Sequence, residues 1–513
     1  MKWRKAIRAA AAVVLLVVGF VLARATPYRE ATVVVGAGGC QMVTDVIDQG
    51  NDARGFVVLF HGLAANKKIM SYLARGFAAE NFRVFVPDLP GHGRTPGPFS
   101  FERAETCADS LVRELIARRA IDPQRTIIAG HSMGGAIAIR VAARVPVAGV
   151  VAVSPAPMRA AHGVPPDMLP YTSPPVLPPH TLAISAQFEP LGIRELTQDL
   201  ITGDAAATGK YLFLPRATHV SVLFDGRVVR ASQEWSAEAL HFPAEPGIAS
   251  HAPLIGSLLG LAAILLLAGP FARETVTMQS VGTEPAQAPA AAAQNADVLL
   301  AAPSVARVLL EMVAASFLAV VLLRLWNPLS FVRLYNGSYF ASFLLIVGLV
   351  LLLLHYKSLR SLFVTRIAIV LLAATSGLLL HFLFTGWLDV SFSESWLTLA
   401  RWARFPVIFV AALAGLLAEE LLLGPVSARR GVRRVSLAMG LRLIAFVVLV
   451  FGIFVLHSGA ILIILLAVYL ALFSLFQRLG MDVVHHQTGS AIAAAAFGAI
   501  LLAGFCLVIF PVT

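Results

Sequence analysis

The sequence predicts a mostly parallel α/β sheet with helices on both faces, held behind one N-terminal span and followed by an all-α polytopic membrane domain. Three observations predict it. Short apolar strands alternate with amphipathic helices between residues 31 and 242, a strand, turn and helix meet at Gly130-His131-Ser132-Met133-Gly134, and long apolar stretches recur after His251. Alternation of this kind buries a parallel sheet on both faces.

Composition agrees: 58% of the chain is hydrophobic, 13% is charged and the mean hydropathy is +0.78, more apolar than a soluble protein of 513 residues. The net charge of +11 has a simple location. Residues 26–250 hold 20 Lys/Arg against 20 Asp/Glu, so the whole excess lies in the apolar parts. A nucleic-acid partner is not implied, and the basicity belongs to a membrane. Three cysteines, Cys40, Cys107 and Cys506, make no disulfide scaffold; Cys40 and Cys107 could pair outside the cytoplasm, with two free thiols the expected state.

In chain order, Lys2, Arg4 and Lys5 precede an apolar run from Ala6 to Ala23, long enough to serve as an uncleaved anchor over residues 1–25. Residues 26–250 form the sheet domain. Its expected strands are 32–35, 56–60, 83–87, 126–129, 147–153, 181–185 and 211–214, with helices at 67–80 and 103–119. Nine prolines between Pro155 and Pro179 mark an irregular connection too short for a large cap. Residues 251–513 form the multi-span domain, with spans expected at 254–268, 305–325, 340–354, 367–384, 406–423, 441–456, 461–476 and 491–510. The Ala/Pro/Gln-rich stretch 282–295 is a flexible loop. With the N terminus inside, Lys357, Arg360, Arg366, Arg429, Arg430, Arg433, Arg434 and Arg478 fall in inner loops, and the sheet domain falls outside the cytoplasm. Arg401 and Arg404 run against that pattern.

Ser132 sits where a G-x-S-x-G serine becomes a nucleophile, since a sharp strand-to-helix turn needs glycine on either side and pushes the hydroxyl outward. A serine hydroxyl needs a base within hydrogen-bond reach, and the base needs a carboxylate to orient it. His219 follows the strand 211–214, and Glu189 follows the strand 181–185. Both therefore lie at carboxyl ends, as Ser132 does. Asp199 and Asp204 are alternatives for the acid. His61-Gly62-Leu63 follows the strand 56–60, so the Leu63 and Met133 amides are the expected donors to an oxyanion. His61 is expected to shape that loop and His92 to be structural, and no role falls to His131.

Four stretches together resemble the α/β-hydrolase superfamily over residues 54–225: His61-Gly62, Pro87-Asp88-Leu89-Pro90-Gly91-His92-Gly93, Gly130-His131-Ser132-Met133-Gly134-Gly135, and His219. The resemblance is strongest to lysophospholipase, monoglyceride-lipase and serine-aminopeptidase-like members. It implies an α/β-hydrolase domain and a serine hydrolase acting on an ester, an acyl lipid included, with no cofactor and no metal. Glu189 stands where Asp is commoner. A peptidase or acyltransferase on the same triad, or a non-catalytic transporter or scaffold with a hydrolase-like domain, are the alternatives. In the last third, Ala418-Glu419-Glu420-Leu421-Leu422-Leu423-Gly424, His457 and Thr488-Gly489-Ser490 resemble the CAAX-protease and bacteriocin-processing membrane family. Gly424, Ile453 and Gly498 stand where that family has Arg, Phe and His, which implies a degenerate site. Paired carboxylates in a span are costly to bury, which makes Glu419 and Glu420 a functional hypothesis by default; the alternative is that they lie near the inner interface and meet Arg429 or Arg430.

Overall fold

Eight strands, β1 (Arg29–Val35), β2 (Met42–Asp48), β3 (Gly55–Phe60), β4 (Phe82–Pro87), β5 (Thr126–His131), β6 (Gly149–Val153), β7 (Thr181–Phe188) and β8 (Gly209–Thr218), form one sheet. Its order is β1-β2-β4-β3-β5-β6-β7-β8. The computed structural model describes residues 2–36, 38–156, 177–190, 192–202, 209–277, 304–362, 367–424, 431–456 and 458–513. Strands β3 to β8 pair in parallel, while β2 pairs antiparallel with both β1 and β4. β5 and β6 are buried along their whole length, as continuous Ile, Val and Ala runs dictate for strands covered on both faces.

Preceding the sheet is α1 (Lys2–Ala23), and the helices among its strands are α2 (Ser71–Ala79), α3 (Phe101–Ala117), α4 (Met133–Ala142), α5 (Ile193–Thr202) and α6 (Gly226–Ala239). α3 is capped by Ser100, whose hydroxyl accepts from the Arg103 amide. Phe77 and Ala78 of α2, Val228 and Val229 of α6, and Leu59, Val84 and Ile184 of the sheet share one core.

Sequence periodicity missed β2. Its run Met-Val-Thr-Asp-Val-Ile-Asp carries two carboxylates, yet each has a cation: Asp45 lies 3.9 Å from Lys67 and Asp48 lies 2.9 Å from Arg83. The expectation of free thiols is also overturned. Cys40 and Cys107 form a disulfide, because α3 packs against the β1–β2 end of the sheet and brings their Cα atoms to 5.0 Å. The separation of 67 residues gave no local sign of that meeting.

By internal contacts the chain falls into two units. One comprises Val17–Gly260, Trp387–Trp396 and Pro511–Thr513, and contains the sheet. The other comprises Met1–Leu16, Leu261–Gly386 and Leu397–Phe510. Among the described residues, seven helices are long and apolar enough to cross a membrane: Val305–Leu325, Gly337–Leu354, Ile367–Ser391, Phe405–Leu423, Val432–Val455, Ala467–Thr488 and Ala491–Ile509. Ile7–Ala23 and Ala252–Leu267 are shorter apolar helices. The stretches expected at 441–456 and 461–476 are placed differently. The first helix begins at Val432, and the second stretch divides into a short helix, Ile461–Leu465, and the start of Ala467–Thr488.

The helical unit buries a charge cluster. Glu419 accepts from Arg442 Nε at 2.6 Å and from Arg478 Nη1 at 2.8 Å. Glu420 accepts from Arg434 Nη2 at 2.6 Å and from Arg478 Nη1 at 2.5 Å, with His485 beside it. Arg434 and Arg478, counted above among inner-loop residues, therefore sit inside helices and are fully buried. Arg429, Arg430 and Arg366 lie outside the described residues, as do His457 and most of the Pro155–Pro179 connection. The side chains of Gln477 and Met481 occupy the surroundings of Gly498: Gln477 donates to its carbonyl at 2.6 Å, and a Cβ there would run into Met481.

Candidate active site

Four parallel strands deliver their following residues to one edge of the sheet. β3 leads into His61-Gly62-Leu63, β5 into Ser132, β7 into Glu189 and β8 into His219. The register between the last two strands pairs Phe188 with Thr218, so Glu189 and His219 leave the sheet side by side.

Ser132 adopts φ 55°, ψ −120°, a conformation L residues rarely take. Its backbone is held on both sides, with its amide on the Val153 carbonyl at 2.9 Å and its carbonyl accepting from Ala156 at 3.1 Å. Neighbouring glycines make this possible: a Cβ on Gly130 would run into the Gly134 carbonyl, and one on Gly134 into the Phe60 and His61 carbonyls. Strand, turn and first helical turn are thus stacked backbone on backbone.

The serine hydroxyl lies 3.0 Å from His219 Nε2, and His219 Nδ1 lies 2.5 Å from Glu189 Oε2. Glu189 Oε1 accepts from the Ser154 hydroxyl at 2.5 Å and from the Ala186 amide at 2.8 Å. Burial of Glu189 acts to raise its pKa, but the hydrogen bonds from His219, Ser154 and Ala186 prevail and leave it below the usual carboxylate range. Its carboxylate is 1% exposed, whereas His219 keeps 17% of its side chain open. Asp199 is exposed on α5 and Asp204 lies outside the described residues; among the described residues the carboxylate hydrogen-bonded to His219 is Glu189.

Met133 opens α4, where its amide has no intrahelical acceptor. Gly62 lies against Ser132: a Cβ there would come within 3.1 Å of Ser132 Cβ, which leaves the Leu63 turn at the serine. Ala64 takes φ 60° and gives its amide to His92 Nε2 at 3.2 Å. His61 donates from Nδ1 to the Gly62 carbonyl at 2.8 Å and accepts the Leu89 amide on Nε2 at 2.9 Å. With both nitrogens committed to a neutral ring, burial pushes its pKa down to about 4. His61 and His92 thus shape the loop, as their positions in the sequence suggested.

Two contributors escaped the sequence reading. Ser154, directly after β6, holds the back of Glu189; its place at a strand's carboxyl end was the available sign. His131 donates from Nε2 to the His219 carbonyl at 2.7 Å and so fixes the loop that presents His219. Its Nδ1 is buried without a hydrogen-bond partner among the described residues. Burial and the adjacent His219 push its pKa down to about 3.

Residues 57–300 match the sequence model of the alpha/beta hydrolase family. Monoacylglycerol lipase of Mycolicibacterium smegmatis is 36% identical over 113 residues, which is 22% of this chain and 40% of that protein. A pimeloyl-(acyl-carrier protein) methyl ester esterase of Sodalis glossinidius is 37% identical over 109 residues, 21% of this chain and 39% of the relative. The chain therefore spans about two fifths of the length of these curated relatives, 40% and 39%. Among solved structures, an esterase of Pyrobaculum calidifontis is similar at 16% identity, with 46% of this chain and 93% of that one covered and a TM-score of 0.37. The sheet-containing part of the chain has the α/β-hydrolase fold, and a helical region follows it with seven long apolar helices among the described residues.

Proposed function

We propose that this chain is a membrane-embedded serine hydrolase that cleaves a carboxylic ester through an acyl-enzyme formed on Ser132. The observation that carries the reading is the continuous relay from Glu189 Oε2 to His219 Nδ1 at 2.5 Å and from His219 Nε2 to Ser132 Oγ at 3.0 Å. His219 takes the hydroxyl proton as Ser132 Oγ attacks the ester carbon. The Leu63 and Met133 amides receive the oxyanion that forms, each such donor contributing on the order of 3 kcal/mol to the barrier reduction. Collapse of the tetrahedral intermediate breaks the ester C–O bond, and the leaving alkoxide takes the proton from His219. Water, deprotonated by the same ring, then releases the acid and frees the serine. Glu189, held as a carboxylate, stabilises the imidazolium in both halves.

An acyl lipid is the substrate class this reading favours. One relative is named a monoacylglycerol lipase, and seven apolar helices would keep the site at a bilayer. A hydrolase domain outside the cytoplasm has one direct support, the Cys40–Cys107 disulfide, since such bonds persist in oxidising compartments. The test is turnover by the purified full chain of monoacylglycerols and of water-soluble nitrophenyl esters. Wild type is expected to hydrolyse both classes and to prefer the acyl lipid, while Ser132→Ala loses at least about 10³-fold in kcat for either. Equal turnover of the two classes would contradict the lipid preference, and undiminished turnover by Ser132→Ala would contradict the mechanism.

A further inference from the structure

The turn that presents the Leu63 amide is not held by the sheet alone. Ala64 sits in the left-handed region at φ 60°, a conformation that costs a non-glycine residue on the order of 1 kcal/mol and persists only where its surroundings fix it. The residues that follow, Asn66, Lys67 and Lys68, are fixed by a segment more than 300 positions away in the sequence. That segment is Trp387–Trp396, which groups with the sheet although long apolar helices flank it in the chain.

Three consecutive residues are clasped. Asn66 Nδ2 donates to Ser393 Oγ at 2.9 Å, and the Glu394 amide donates back to Asn66 Oδ1 at 3.1 Å. Lys67, whose side chain is 1% exposed, gives its ammonium to Glu394 Oε1 and to Asp88 Oδ2, the latter at 3.2 Å, with Asp45 at 3.9 Å. Lys68 and Arg94 both reach Asp389, at 3.1 Å and 2.9 Å. Asp88 also accepts the Lys67 and Arg94 amides, at 2.8 Å and 3.1 Å. The buried ammonium therefore ties the loop after β3 to the loop after β4, and Glu394 closes the knot. Among the described residues, the hydrogen bonds and ion pairs of the Glu394 carboxylate go to Lys67 and, at 3.5 Å, Arg94, and not to Ser132, His219 or Glu189. A buried ion pair adds little net stability, and its best-attested use is to fix one arrangement among several.

We propose that Glu394 is a positioning residue for the hydrolase site: through Lys67 and Asn66 it fixes the Gly62–Ala65 turn and so aims the Leu63 amide at the oxyanion. Activity of the sheet domain then depends on a segment supplied from within the helical half of the chain. The inference rests on the serine-hydrolase reading.

The experiment uses the full-length protein in detergent or vesicles, with a nitrophenyl ester as substrate and a trifluoromethyl ketone as the probe of the tetrahedral adduct. Misplacing one donor by a fraction of an ångström lowers kcat by about 10- to 100-fold while leaving ground-state binding alone. Glu394→Ala is expected to show that loss in kcat, a KM within about twofold of wild type, and ketone affinity reduced in step with kcat/KM. Glu394→Gln, which keeps an acceptor for Lys67, is expected to recover most of the loss. Ser393→Ala, which removes only the Asn66 acceptor, gives a smaller loss of the same kind and decides the matter if Glu394→Ala does not fold. Wild-type kcat and ketone affinity in both Glu394→Ala and Ser393→Ala, or a change confined to KM, would overturn the inference alone. A wild-type protein that neither turns over the ester nor binds the ketone would overturn the hydrolase reading and the inference with it.

Discussion

Glu189 and His131 hold His219 from two directions, one through the ring and the other through the backbone. In the proposed mechanism the ring contact is the one that serves catalysis. Glu189→Gln should lower kcat by about 10³- to 10⁴-fold by leaving the imidazole in the wrong tautomer and its positive charge unsupported. Asp199→Asn should stay within about twofold of wild type, and steady-state kinetics on folded variants read both numbers. The backbone contact shows itself in stability. His131 is neutral in the fold because its pKa is down at about 3, whereas the unfolded chain protonates it near 6.5. The unfolded state therefore binds a proton that the native state refuses, and the stability this contributes is complete above about pH 6.5 and lost as pH falls toward the native value. Between pH 6 and 4 the slope of unfolding free energy against pH should fall by about 1.4 kcal/mol per pH unit in His131→Gln, one proton's share. Equal slopes in the two proteins would contradict this.

At the scale of elements, the Cys40–Cys107 bond pins the β1–β2 end of the sheet to α3 and closes a loop of 67 residues. Reducing it, or replacing both cysteines by serine, should cost about 2–4 kcal/mol, read as a lower thermal midpoint of the hydrolase domain. No change on reduction would mean that the bond carries no part of the stability. The sequence showed the strands of the parallel sheet and the elbow at Ser132 because continuous apolar runs and glycine spacing are local signals. β2 was hidden by Asp45 and Asp48, whose partners Lys67 and Arg83 come from other elements. The disulfide and the clasp by Ser393 and Glu394 were hidden for a related reason: both join positions that only the folded chain brings together. Glu189 was chosen from its place after a strand, and the register that pairs Phe188 with Thr218 puts it beside His219.

For the whole molecule, positive-charge counting assigned the hydrolase domain to the outside, yet five of the counted residues, Lys357, Arg360, Arg433, Arg434 and Arg478, lie in helices and not in loops. Arg434 and Arg478 are buried on Glu419 and Glu420 inside the helical unit. The disulfide is therefore the stronger support for the proposed location. A membrane-impermeant maleimide applied to intact cells should label a cysteine introduced at exposed Glu238 of α6, and protection until the cells are permeabilised would place the domain inside. The charge cluster explains why so apolar a half still carries paired carboxylates: each meets arginines, and removing one partner would strand a buried charge at a cost of about 3–5 kcal/mol. The central claim is that Ser132 is the nucleophile. Treating the intact protein with a fluorophosphonate and mapping the adduct by mass spectrometry tests it most directly. The expected result is one phosphonylated residue, Ser132, with labelling abolished in Ser132→Ala and slowed in His219→Ala; no adduct on folded wild type, or equal labelling of Ser132→Ala, would contradict it.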